Sequence, residues 1–136
     1  MEQRDFLQRE IEKIGKILSA FRQILIGGRD NPAITPEEQS EATIEMLLDA
    51  TGFNLDEFLS LNLDEGDDYI VNSKGFNIDN IELLAECMAE SGFSDKSGRS
   101  KMYLEKALQL YQLCNLKSRT YSFIREENIK RIKDAL

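Results

Sequence analysis

The chain has 136 residues, 41% of them apolar and 31% charged, with two prolines, two cysteines and no histidine. That balance fits one globular domain over residues 1–136 rather than a disordered, fibrous or disulfide-stapled chain. The missing imidazole removes the commonest general base and zinc ligand.

The net charge of −8 is unevenly spread: residues 1–29 carry +2, residues 30–95 carry −16 with Lys74 as their only cation, and residues 96–136 carry +6. Duplex binding needs clustered cations away from carboxylates, so this distribution argues against it. Two readings of the asymmetry remain. The basic C-terminal part can fold back on the acidic middle and offset its self-repulsion, or a basic partner can dock there; the first is the simpler. No window approaches the roughly 18 apolar residues of a membrane span, and the first residues carry both signs of charge, so a soluble, cytoplasmic protein is expected. Cys87 and Cys114 then act as small buried hydrophobes in a reducing compartment.

Residues 1–29 hold a long first helix, because Leu7, Ile11, Ile14, Leu18, Phe21 and Leu25 recur at spacings of four and three. Ile17 and Ile24 widen the stripe, and Gly27-Gly28 stops it. The breadth suits packing inside the chain's own domain; the narrower alternative is a homodimer seam. A peripheral membrane anchor through Arg4, Arg9, Lys13, Lys16 and Arg22 is weakened by Glu2, Asp5, Glu10 and Glu12 on the same helix.

A helical pair is expected over residues 35–62. Thr35-Pro36-Glu37-Glu38 reads as a capped start. Gly52 ends the helix, with Phe53 packing back on its last turn, and Asn54 with Glu57 caps a short second helix ending near Asn62. The run Asp64-Glu65-Gly66-Asp67-Asp68 suggests calcium, but a calcium loop counted back from Gly66 would need oxygen ligands at Leu61 and Leu63. A solvated loop is the expected state, followed by Tyr69-Ile70-Val71 as an extended connector.

The third segment, residues 77–136, is expected to hold three helices. Ile78, Ile81, Leu84, Ala85 and Met88 mark the first, stopped at Ser91-Gly92-Phe93 in an echo of Thr51-Gly52-Phe53. A long helix follows with Met102, Tyr103, Ala107, Leu108, Leu110, Tyr111, Leu113 and Cys114. The last, over residues 119–135, is expected to turn Tyr121, Ile124, Ile129, Ile132 and Leu136 inward and Arg125, Lys130, Arg131 and Lys133 outward.

Ile81, Leu84, Ala85, Met88 and Gly92, with Ala107, Tyr111 and Cys114, resemble the paired-helix pattern of a tetratricopeptide repeat. The link from Gly92 to Ala107 spans fifteen residues where the repeat has five, and the closing proline is absent. The whole chain, through residues 103–111 and 118–122 above all, also resembles a family of short uncharacterised bacterial proteins with such hairpins. That family has no assigned activity. In repeat proteins generally, stacked hairpins present a concave surface to a peptide or partner helix.

Chemistry-bearing patterns are sparse. Gly27-Gly28 lacks the following lysine and hydroxyl of a phosphate loop. Glu82, Glu86 and Glu90 share one helix face and read as a hydrated acidic stripe. Neither cysteine has a base, and Tyr69, Tyr103, Tyr111 and Tyr121 suit packing. The sequence thus assigns no catalytic, cofactor-binding or metal-ligating residue and leaves partner-binding residues unspecified. The expectation is an all-α bundle of five to six helices with a tetratricopeptide-like C-terminal half. It serves as a non-catalytic protein-protein interaction module with an acidic surface, binding neither nucleic acid nor membrane. The alternative is a homo-oligomeric scaffold dimerising through the first helix.

Overall fold

A computed structural model describes residues 2–27, 36–95 and 97–136, with side chains described from Asp5 in the first helix and from Glu41 in the second. Those residues form seven helices and no strand: α1 (Glu2–Gly27), α2 (Pro36–Thr51), α3 (Leu55–Ser60), α4 (Leu63–Val71), α5 (Ile78–Ser94), α6 (Ser100–Lys117) and α7 (Phe123–Ala135). The all-α expectation holds, but the described residues form seven helices rather than five to six, because residues 63–71, expected as loop and connector, are helical. Thr35, the expected cap of α2, lies outside the described residues, as does Gly28. No helix is long and apolar enough to cross a membrane among the described residues.

The core is organised around α5, which packs against α6 on one side and α1 on the other; α2 covers α1, and α7 covers α6. Helix α1 buries Ile14, Leu18, Phe21 and Leu25, the centre of its stripe, so these residues are consumed inside the chain. Its ends differ: Phe6, Leu7, Ile24 and Ile26 stay exposed. Helix α5 is buried on most of its circumference, with small Ala85 and Ala89 letting neighbours approach.

Two glycines set how closely elements approach. A Cβ on Gly75, which has φ +88°, would lie 2.9 Å from the backbone of Glu10, so the turn before α5 rests directly on α1. Asn80 locks the same junction, its side-chain amide donating to the carbonyls of Ile11 and Gly75 at 2.9 and 2.7 Å. Gly92 is the second: a Cβ there would meet Leu104 at 2.7 Å.

Gly92 does not stop its helix. It lies within α5, which runs on to Ser94, whereas Gly52 does terminate α2 with φ +77°; the echo between the two is one of letters only. Asp95 instead shapes the turn to α6, accepting from the Ser97 hydroxyl and the Arg99 amide, both at 2.7 Å.

Three further expectations are corrected. Residues 64–68 are not a loop and Tyr69-Ile70-Val71 is not extended; all belong to α4, started by Asn62, whose side chain accepts from the Glu65 amide. Ile70 is fully buried. Helix α7 begins at Phe123 under a Ser122 cap rather than at Arg119. Its inward stripe is Arg125, Ile129 and Ile132, while Tyr121, Ile124 and Leu136 are exposed. Arg125 turns inward because Glu82 on α5 accepts from its Nε at 2.8 Å and Asn115 Oδ1 from its Nη1 at 3.1 Å, a charge-assisted pairing that offsets desolvation.

Candidate functional site

The residues available for recognition follow from where charge is left uncompensated. On α5 two carboxylates are consumed internally: Glu86 pairs with Arg22 of α1 and Glu82 with Arg125 of α7. The expected hydrated stripe Glu82, Glu86, Glu90 is therefore half-buried along its length, and Glu82 and Glu86 cross-link helices.

The α3–α4 corner is different. Asn54 and Asn62 cap the two helices through contacts to the Glu57 and Glu65 amides at 3.1 and 2.9 Å. Each cap thereby places a glutamate in a first turn, where the helix dipole favours negative charge. Phe53 enters an aromatic group with Phe58, Tyr69 and Phe76, its ring centroid 4.5 Å from that of Phe76. The Tyr69 hydroxyl accepts from the Asn54 amide at 3.0 Å, so one aromatic cluster fixes both short helices. Between them runs an open groove of about 530 Å³, lined by Glu57, Leu61, Glu65, Asp68 and Tyr69 among others.

Helix α6 holds this corner with polar side chains. Lys106 donates to the Leu61 carbonyl at 2.7 Å and to Gln109 Oε1 at 3.2 Å, over the ring of Phe58. Gln109 donates to the Leu63 carbonyl and to Asp67 Oδ1, both at 3.0 Å. Gly66 makes this approach possible, since a Cβ there would lie 2.9 Å from Gln109 Nε2. Burial lowers the Lys106 ammonium below its usual range, opposed by the nearby Asp67 carboxylate.

Apart from Asp67, which accepts from Gln109, the corner's carboxylates face water with no ion pair among the described residues. Asp56, Glu57, Asp64, Glu65 and Asp68 are exposed, and Glu41, Glu45 and Asp49 line an exposed stripe of α2. Among the described residues the ion pairs fall elsewhere, on Glu10, Glu82, Glu86 and Glu105. The helix α4 that carries half of this groove was readable from Asn62-Leu63-Asp64-Glu65, which repeats the cap spacing of Asn54-Leu55-Asp56-Glu57.

The thiols do not form a reactive centre. Burial pushes Cys87 up to about 12 and Cys114 to about 11, so both are protonated at neutral pH. They donate to the carbonyls of Leu18 and Ile78. Tyr111 is buried with its phenol pushed up by desolvation, Tyr103 is half-buried, and Tyr121 stands in solvent rather than packing. No group of three or more cysteine, aspartate or glutamate side chains is arranged to hold a metal ion among the described residues.

A second open groove, of about 720 Å³, lies between α5 and the α6–α7 elbow, lined by Val71, Phe76, Ile78, Asp79, Lys117 and Arg125 among others. No family model matches the chain, and neither the curated proteins nor the solved structures contain a match.

Proposed function

We propose that the chain is a non-catalytic interaction module of the bacterial cytoplasm, built on tetratricopeptide-like helical hairpins, which recognises a basic protein partner through the acidic face of α2, α3 and α4. One observation carries this reading. Glu57, Glu65 and Asp68 converge on an open groove with no ion pair among the described residues, while Glu82 and Glu86 of α5 are paired with arginines of the chain itself. A partner bringing lysines or arginines to that groove gains attraction, and little desolvation opposes it at an open site.

The alternative is a homo-oligomeric scaffold pairing through α1. It would have to use Phe6, Leu7, Ile24 and Ile26, because the centre of the stripe is buried in the chain's own core.

Affinity capture from a lysate of the native cells at two ionic strengths tests the module. The expected result is a basic protein retained at low salt and released at high salt. Retention that is indifferent to salt, or no reproducible partner at either concentration, contradicts it.

A further inference from the structure

The groove of about 720 Å³ between α5 and the α6–α7 elbow differs from the acidic one in carrying both signs of charge. Val71 at the end of α4, Phe76 before α5 and half-buried Ile78 give it apolar wall, and Asp79 in the first turn of α5 stands beside them. Lys117 at the end of α6 and Arg125 near the start of α7 supply cations to the same lining. Its size lies within the roughly 300–1,000 Å³ of small-ligand clefts.

These charges are not spent on one another. Asp79 and Lys117 are exposed, and neither is ion-paired among the described residues. Arg125 is only 6% exposed. Its Nε donates to Glu82 and its Nη1 to Asn115, but its Nη2 donates to no described residue, although a guanidinium has five N–H donors to place. That group keeps contact with solvent, and because Arg125 lines the groove, an acceptor entering there can meet it. Burial, together with Glu82 and Asp79, pushes the Cys114 thiol up to about 11 against the pull of Arg125, so charges of both signs act on one point of α6.

We infer that this groove is a binding site for a free α-amino acid with an apolar side chain, its carboxylate taken by Lys117 and the Nη2 group of Arg125, its ammonium by Asp79, and its side chain laid against Val71, Phe76 and Ile78. An amino acid carries both charges on one carbon, so it bridges an acid and a lysine that share a groove without pairing. The charge-assisted hydrogen bonds to its carboxylate are the stronger contacts. A ligand of one charge is served less well, since a simple carboxylate meets repulsion from Asp79 and a simple amine meets repulsion from Lys117. The groove is open, so part of the ligand stays wet and affinity in the millimolar range is expected. This inference is independent of the acidic groove of α3 and α4.

Heteronuclear NMR titration of the full chain with leucine tests it, read at the amides of Ile78, Asp79, Lys117 and Ser118. Saturable shifts are expected there. N-acetyl-leucine, leucine amide and glycine lack in turn the ammonium, the carboxylate and the apolar side chain, and each is expected to bind about tenfold more weakly or worse. Asp79→Asn and Lys117→Gln, both at exposed positions, are expected to melt like the wild type and to weaken leucine severalfold. Asp79→Asn should leave N-acetyl-leucine no weaker, and Lys117→Gln should leave leucine amide no weaker, a matching of protein group to ligand group that a purely structural role would not produce. No shift at these amides in tens of millimolar leucine or phenylalanine, equal binding of leucine and N-acetyl-leucine, or leucine binding unchanged in both variants overturns the inference.

Discussion

The α5 helix and the α3–α4 corner are both rich in carboxylates, yet they spend them in opposite ways. Along α5, Glu82 and Glu86 reach arginines of α7 and α1 and help hold three helices together. At the corner, the attachment to α6 is made by Lys106, Gln109 and backbone carbonyls, and Glu57, Glu65 and Asp68 are left facing an open groove. Similar side chains are structural where a cation from another helix is within reach and available to a partner where none pairs with them among the described residues. Net charge alone does not distinguish the two.

The largest effect expected from this contrast concerns the interior around α5. Cys87 and Cys114 have thiols raised from about 9 to about 12 and about 11 by burial. Below pH 9 the folded and unfolded chains both keep these protons. Above it the unfolded chain releases them and the folded chain does not, so stability is lost as pH rises from 9 through 11 toward 12. Thermal melting should therefore fall steeply over that window, and Cys87→Ala should flatten the fall. A melting temperature level to pH 11 would break the picture of thiols sealed beside α1 and α5.

A smaller effect is expected at the helix cross-links. Arg125→Met should cost about 1–3 kcal/mol, because it strands Glu82, which is only partly open to water. A double-mutant cycle with Glu82→Gln should show favourable coupling of about 0.5–3 kcal/mol in denaturant unfolding. Additive single changes would mean that α7 is held by Ile129 and Ile132 alone.

The polar latch is expected to be weaker still. Gln109→Leu removes donations to Leu63 and Asp67, at about 1 kcal/mol. Amide hydrogen exchange should accelerate in α4 while α5 remains protected. Equal acceleration in both would contradict a separately latched corner.

Much of the fold was legible wherever one helix face met one apolar neighbour. The four-three spacing in α1 identified Ile14, Leu18, Phe21 and Leu25, and Asn54 with Glu57 placed the start of α3. What escaped was decided by partners distant in the chain. Helix α4 buries little beyond Ile70 and Gly66, so its acidic run outweighed its cap. The rotation of α7 depends on Glu82, forty-three residues before Arg125, and without that carboxylate Ile124 is the more natural inward residue. Gly92 resembles a helix stop until Leu104 is seen resting against it. The acidic bias of the middle segment was plain from composition, but its division into paired and unpaired carboxylates required knowing which helices lie beside α5.

The most direct test of that division is capture with a neutralised corner. Glu57→Gln, Glu65→Gln and Asp68→Asn alter exposed groups and should each change stability by no more than about 0.5 kcal/mol. The triple variant is expected to fold and melt like the wild type and to lose the basic partner at low salt. Retention of that partner by a folded triple variant would show that the acidic groove is not the recognition surface.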